Sequence, residues 1–219
     1  MEYPKTPLNE LKRSRKKAAY DQDTIFAILD ATEICHIAFL VDGMAMVQPI
    51  NFGRSGDKLY VHGSHQNRMT TALIAAGKAT VNVTLLDGMK LTRSAFHHSV
   101  NYRSAMVFGA VRELAGDTDK LHGLKSIINH FVPNRWEHCR EPNEKELKAT
   151  RVLEISIETA SGKIADSPPN EKKEDLRLPY WAGTIPVKAV CGSPVPDIHM
   201  DSNAKVPQHI VDFCNSRRK

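Results

Sequence analysis

Cys35-His-Ile-Ala-Phe-Leu-Val41, Asp42-Gly43, Met44-Ala-Met-Val-Gln-Pro-Ile-Asn-Phe52 is the stretch that decides the fold. Two apolar runs separated by a doublet that accepts positive φ read as an antiparallel hairpin. Pro49 has no N–H to give a ladder, so the second strand is expected to bulge or to lie at a sheet edge. Upstream, Asp21 or Asp23 is placed to cap a helix over Thr24–Leu29. Downstream, Arg54-Ser-Gly-Asp57 turns the chain into Lys58-Leu-Tyr-Val61, a short strand. His62-Gly-Ser-His-Gln-Asn-Arg68 follows it and leads into Met69–Ala76, which reads as a helix.

Further along, Ala79–Leu86 alternates, with Val81, Val83 and Leu85 on one face. Asp87-Gly88 reads as a second hairpin turn into a strand from Met89 to about Ser94. Val100–Val111 is expected as a strand, Asp117–Phe131 as a helix stopped by Pro133, and Pro142–Ala149 as a short helix. Val152–Glu158 is expected to be the last barrel strand. Residues 166–176 are polar and proline-rich and read as a loop. The reading is a mainly β fold with added helices, antiparallel and closed. A doubly wound parallel sheet would need a helix after nearly every strand.

Charge bounds the partners. The chain has 219 residues and a net charge of +5. Residues 1–19 carry +4 and Arg217-Arg218-Lys219 carry +3, so the body between is at −2. Basic charge on the ends rather than on a folded face speaks against a nucleic-acid domain. The expected organisation is a basic N-terminal tail (1–19), one folded domain (20–190) and a loosely ordered C-terminal tail (191–219). No apolar run approaches a membrane span, and the start lacks a signal-peptide segment. Four scattered cysteines form no C-x-x-C pair and fit a reducing cytoplasm. No metal site is expected.

The chemistry is expected in two places. A strand ending in Gly63-Ser64 before a helix leaves backbone donors free at the helix start, and with Arg68 nearby these suit a phosphate; an ordinary cap on the helix fits the same residues. The segment Leu91–Ser104 is rich in polar and ring-bearing groups, including His97 and His98. In an extended backbone those two histidines point to opposite faces and chelate poorly. No Gly-x-Ser-x-Gly elbow, Walker lysine motif or Gly-x-Gly-x-x-Gly is present.

Taken in order, His36–Gly43, Tyr60–Ser64 with Asn67-Arg68, Leu86–Gly88, Ser94–Ser104, Val107–Gly109 and Glu144–Thr150 resemble the pyridoxamine 5′-phosphate oxidase-related family, in its nitroimidazole-resistance branch. The resemblance spans about residues 19–190. It implies a six-stranded antiparallel split β-barrel, the FMN-binding split barrel. It also implies a homodimer holding FMN, with FAD as the alternative, in clefts between the subunits.

On that pattern Ser64 and Arg68 meet the flavin phosphate, with Gly63 and Asn67 beside them. Pro49, Ile50 and Asn51 lie along the ring system. Ser94, Ala95, Phe96 and His97 supply the adjoining strand edge, and Lys163 falls in a further family motif. Trp181 either covers the flavin from the partner subunit or packs in the core. Tyr102 and Arg103 line the cleft or stabilise the dimer. His62 matches a site-facing histidine and is the candidate proton donor, since an unperturbed imidazole titrates at about 6.5.

The implied function is flavin-dependent reduction of a small oxidised or nitroaromatic substrate. A flavin carrier or sensor, or a haem-binding split barrel with His62 or His97 as axial ligand, are the alternatives. The basic residues that hold the substrate phosphate in true pyridoxamine-phosphate oxidase are incomplete here.

Overall fold

The computed structural model describes residues 1–201 and 203–217. Arg218 and Lys219 of the basic carboxyl end lie outside them. β1 (Ala18–Ala19) precedes α1 (Gln22–Leu29), which Asp21 caps by accepting from Thr24 N at 2.8 Å. β2 (Ile34–Val41) and β3 (Met44–Asn51) form the expected hairpin, with Val41 opposite Met44. Asp42 and Gly43 take φ of 50° and 77°, the double positive pair of a type I′ turn. β3 is a sheet edge, so Pro49 withholds a donor where no neighbour needs one.

β4 (Gly53–Ser55), β5 (Lys58–Ser64) and α2 (Arg68–Ala76) come next. β6 (Lys78–Leu91) and β7 (Ser99–Glu113) form the longest ladder. α3 (Asp117–Phe131) and α4 (Glu144–Ala149) lead to β8 (Thr150–Ser156), β9 (Thr159–Ala165), β10 (Gly183–Pro186) and α5 (Gln208–Ser216).

The fold is a mainly β antiparallel split barrel with five α-helices among the described residues. Its strands run β3-β2-β6-β7-β8-β5-β4, with β9 on β7, β1 on β9 and β10 on β6. β7 makes the crossing: Tyr102–Phe108 pairs with β9, and Val111–Glu113 pairs with β8. Alternate residues of β2, β5, β6, β7 and β8 (Ile37, Val61, Val83, Val107, Ile155) fill the interior, closed by Ile25 and Leu29 of α1 and Met69 and Leu73 of α2. A second core forms where Ile127 of α3 meets Tyr60 and Val152. β7 passes so close to the β8 end that a β-carbon on Gly109 would overlap the Ser156 carbonyl oxygen.

Two strand expectations are corrected. Asp87-Gly88 is not a hairpin turn; β6 runs through it, with a register shift between Leu86 and Gly88. Two flanking partners outweigh the doublet's turn preference. Gly88 has ladder partners on β7 and β10, and a β-carbon there would come within 3.1 Å of Ile185 O. Asp87 is tied to Arg103 instead, at 2.9 and 2.8 Å. Nor is β8 the last strand. Thr159–Ala165 returns along β7, because Ala160, Ser161 and Gly162 are small enough to be buried there. The resemblance implies six barrel strands; among the described residues ten form, of which only β1, β4 and β10 are shorter than seven residues.

Parts of the first nineteen residues lie against the barrel, through Tyr3, Asn9 and the β1 pair with β9. Tyr3 and Asn9 are buried, and Asn9 donates to Ala160 O at 2.9 Å. Their basic residues cluster at 12–17, which hid the packing of the neutral ones. At the other end, the described residues of 192–206 form no helix or strand, but α5 does form.

α5 rests on stacked imidazoles. His138 and His209 lie 4.1 Å apart at 7° between planes. Cys214 is buried, and Arg217 is ion-paired with Glu33. Burial first, then His138 and Arg135, push the His209 pKa down, with Asp212 opposing. A histidine whose folded pKa lies below its unfolded value of about 6.5 supports the docked state above that pH and weakens it as pH falls below. Hydrogen exchange in 208–216 is therefore expected to quicken below about pH 6.5, while β6 and β7 stay protected. An α5 protection independent of pH would contradict this.

Candidate functional site

The expected contacts fall into two groups within one chain. The first gathers where β3, β5 and α2 meet. Gly53 pairs with Tyr60 two residues after β3 ends, which leads the chain from the Pro49–Asn51 end of β3 to β5. Asn67 caps α2, accepting from Met69 N at 2.9 Å and Thr70 N at 3.3 Å. The cap is therefore Asn67 rather than Ser64, and it uses two of the donors a phosphate would otherwise take. Ser64 and Arg68 are exposed. Among the described residues Arg68 has no carboxylate partner, whereas the neighbouring Arg151 is paired with Glu113 and donates to Thr71 Oγ1 at 2.9 Å. An anion here would be held by Arg68, Ser64 and the dipole of α2.

His62 pairs with Val152 and lies mostly buried. Its Nδ1 is buried without a hydrogen-bond partner. Burial pushes its pKa down, so the ring is neutral at pH 7. A neutral imidazole is a poor acid but a competent hydrogen-bond partner or metal ligand. A buried polar atom left open is costly unless something fills the place.

The second group is formed by Ser94–His97, Lys163 and Trp181. Ala95–His97 is a 3-10 turn capped by Ser94, not an extended strand edge. The opposite-face argument for His97 and His98 therefore lapses. His98 Nδ1 sits 3.3 Å from Thr92 Oγ1, and His97 packs edge-on to Phe96. Phe96 and Trp181 are 87% and 66% exposed, which excludes the core position for Trp181. Lys163 Nζ stands 5.8 Å over the Tyr102 ring. Arg103 is held by Asp87, which raises its pKa.

Pro49 and Lys163 share the outer sheet face, since paired residues run β3-β2-β6-β7-β9. Four strand spacings separate them, about 19 Å. One chain does not bring the two groups onto one small ring. The same face carries exposed apolar side chains, with Ile34 at 51%, Leu40 at 67% and Val47 at 65%.

Other chemistries find little support. Burial pushes the Cys35 thiol to about 12, the wrong direction for a nucleophile. Among the described residues no group of three or more His, Cys, Asp or Glu is placed to hold a metal ion. No described helix is long and apolar enough to cross a membrane.

The split barrel thus places an exposed Arg68, without a carboxylate partner among the described residues, at the start of α2, and a histidine with a buried, unpartnered Nδ1 on the strand before it. The chain belongs to the pyridoxamine 5′-phosphate oxidase family, whose sequence model matches residues 21–164. No curated protein sequence matches it. Among solved structures, the flavocytochrome Anf3 from Azotobacter vinelandii is 35% identical with a TM-score of 0.88, over 95% of this chain and 97% of that one. A FAD and haem binding protein from Mycobacterium smegmatis is 32% identical with a TM-score of 0.85, over 90% of this chain and 97% of that one. A candidate 5-nitroimidazole antibiotic resistance protein from Bacteroides thetaiotaomicron is 22% identical with a TM-score of 0.58, over 67% and 86%, and shares the fold.

Proposed function

We propose that this protein binds a flavin nucleotide and haem and carries electrons between them as a homodimer. One observation supports this above the others. A flavocytochrome and a FAD and haem binding protein align with 95% and 90% of this chain, beyond the 21–164 core shared across the family. FAD stands ahead of FMN because one of those relatives is named for FAD.

The residues present fit both groups. Arg68 is a cation without a carboxylate among the described residues, and Ser64 offers a free hydroxyl beside it. Together they would hold a flavin phosphate. The main chain of Pro49, Ile50 and Asn51 sits on an open sheet edge, where an unpaired N–H or C=O can meet the polar rim of a ring. His62, neutral and with Nδ1 unpartnered, or His97 on its exposed turn would hold the haem iron. Bound together, the two groups link two-electron and one-electron transfer, serving a small oxidised acceptor such as a nitroaromatic compound. The chain supplies position, charge and cover: Trp181 stands exposed as a lid for a partner's ring, and the apolar face around Leu40 and Val47 suits a second copy. A dimer also explains why contacts about 19 Å apart belong to one site.

Titrating purified protein separately with FAD, FMN and haem tests this. Haem is expected to give a Soret band that His62→Ala or His97→Ala abolishes. Flavin uptake with no Soret band in any sample would leave a flavin carrier or flavin reductase instead.

A further inference from the structure

The far end of β6 opens onto a cavity of about 580 Å³ that neither Arg68 nor His62 enters. Lys90 lines it and is only 5% exposed. Its Nζ has a single partner, the Ser167 hydroxyl at 3.2 Å. Lys17 brings a second ammonium to the same cavity. Among the described residues no carboxylate lies within ion-pair distance of either lysine. Burial and then Lys17 push the Lys90 pKa down, and Asp166 only partly opposes them. Ser99, His97 and His98 add polar groups to the lining.

A lysine on a strand has no need to bury its head when solvent is near, because its long stem lets the ammonium reach water. Here it is 5% exposed beside a second ammonium, with no carboxylate in ion-pair distance among the described residues, which is unfavourable until an anion arrives.

We propose that this cavity is an anion subsite, in which Lys90 and Lys17 grip phosphate or carboxylate oxygens at the outer end of a bound cofactor. The identity of that cofactor rests on the flavin and haem reading above; the subsite does not. Two sources carry the chemistry, the adenylate phosphate of FAD, beyond the flavin phosphate assigned to Arg68, and the propionates of haem.

The test compares wild-type protein with Lys90→Met and Lys17→Met. Each is titrated calorimetrically with inorganic pyrophosphate, then with FAD, FMN, haem and haem dimethyl ester. Pyrophosphate Kd is expected to rise about tenfold or more in Lys90→Met, as for loss of a charge-assisted hydrogen bond. Weakened FAD with unchanged FMN assigns the subsite to the adenylate phosphate. Weakened haem with unchanged dimethyl ester assigns it to the propionates. Equal pyrophosphate and cofactor affinities in wild type and Lys90→Met, or no pyrophosphate binding by wild type, would overturn the proposal. Should Lys90→Met fail to fold, Lys17→Met at the rim carries the same comparison. A protein that takes up no cofactor yet binds pyrophosphate through Lys90 would keep the subsite and sink the flavin and haem reading.

Discussion

Gly109→Ala is expected to leave little folded protein. Its new β-carbon would fall on the Ser156 carbonyl oxygen, far inside the 3.0 Å below which such contacts essentially never occur. The obstacle is backbone, which has no rotamer to retreat into. Gly109 also pairs with Ala79, and the adjoining Phe108 with Thr159, so β7 is held on both sides as it passes β8. Relief would require separating β7 from the β8–β9 corner, opening the barrel where its core is continuous through Val107 and Ile155.

A loss of about 4–5 kcal/mol is the scale reserved for such backbone conflicts. Whole domains hold only about 5–15 kcal/mol. Gly43→Ala is the control. Gly43 has open space around it and only a positive φ of 77°, so its cost is the left-handed backbone penalty of about 1–2 kcal/mol. Urea unfolding of both variants checks the difference. A Gly109→Ala midpoint equal to that of Gly43→Ala would show that β7 and β8 are not in the described contact.

Arg68→Ala is expected to raise the flavin Kd by roughly tenfold to a hundredfold, since a charged hydrogen bond contributes about 1.5–3 kcal/mol. The fold should be unaffected, because the side chain is exposed and touches no carboxylate among the described residues. Asn67 already takes the Met69 and Thr70 donors, so the guanidinium carries a larger share of the grip than in an uncapped helix start. Arg68→Lys keeps the charge but loses the fork and should fall between. Fluorescence titration with FAD and FMN reads all three. An unchanged Kd in Arg68→Ala would discard the phosphate assignment.

Much of this was legible in the residues because local signals agreed with the fold. Asp42-Gly43 closed a hairpin, Pro49 fell on an edge, and Asp117–Phe131 formed its helix over the expected span. The failures share a cause: tertiary pairing outweighing a local preference. Asp87-Gly88 carries the same doublet as Asp42-Gly43, yet β7 and β10 hold it extended.

A lysine just after a turn reads as solvent-exposed, yet pairing of β6 on both sides places Lys90 at 5% exposure. β9 was missed because Thr-Ala-Ser-Gly-Lys lacks large apolar residues, and its burial depends on the close approach of β7. The stacking of His138 on His209 joins two histidines that nothing in the sequence connects. At the candidate site, Gly63–Arg68 could be read from helix-start chemistry. The separation of Pro49 from Lys163 emerged only from the sheet order.

The most direct test of the account is the absorption spectrum of the purified, concentrated protein, followed by chromatography of what heat releases. Flavin bands and a Soret band together, with FAD recovered, is the result expected. A colourless protein that takes up neither added flavin nor added haem would contradict it.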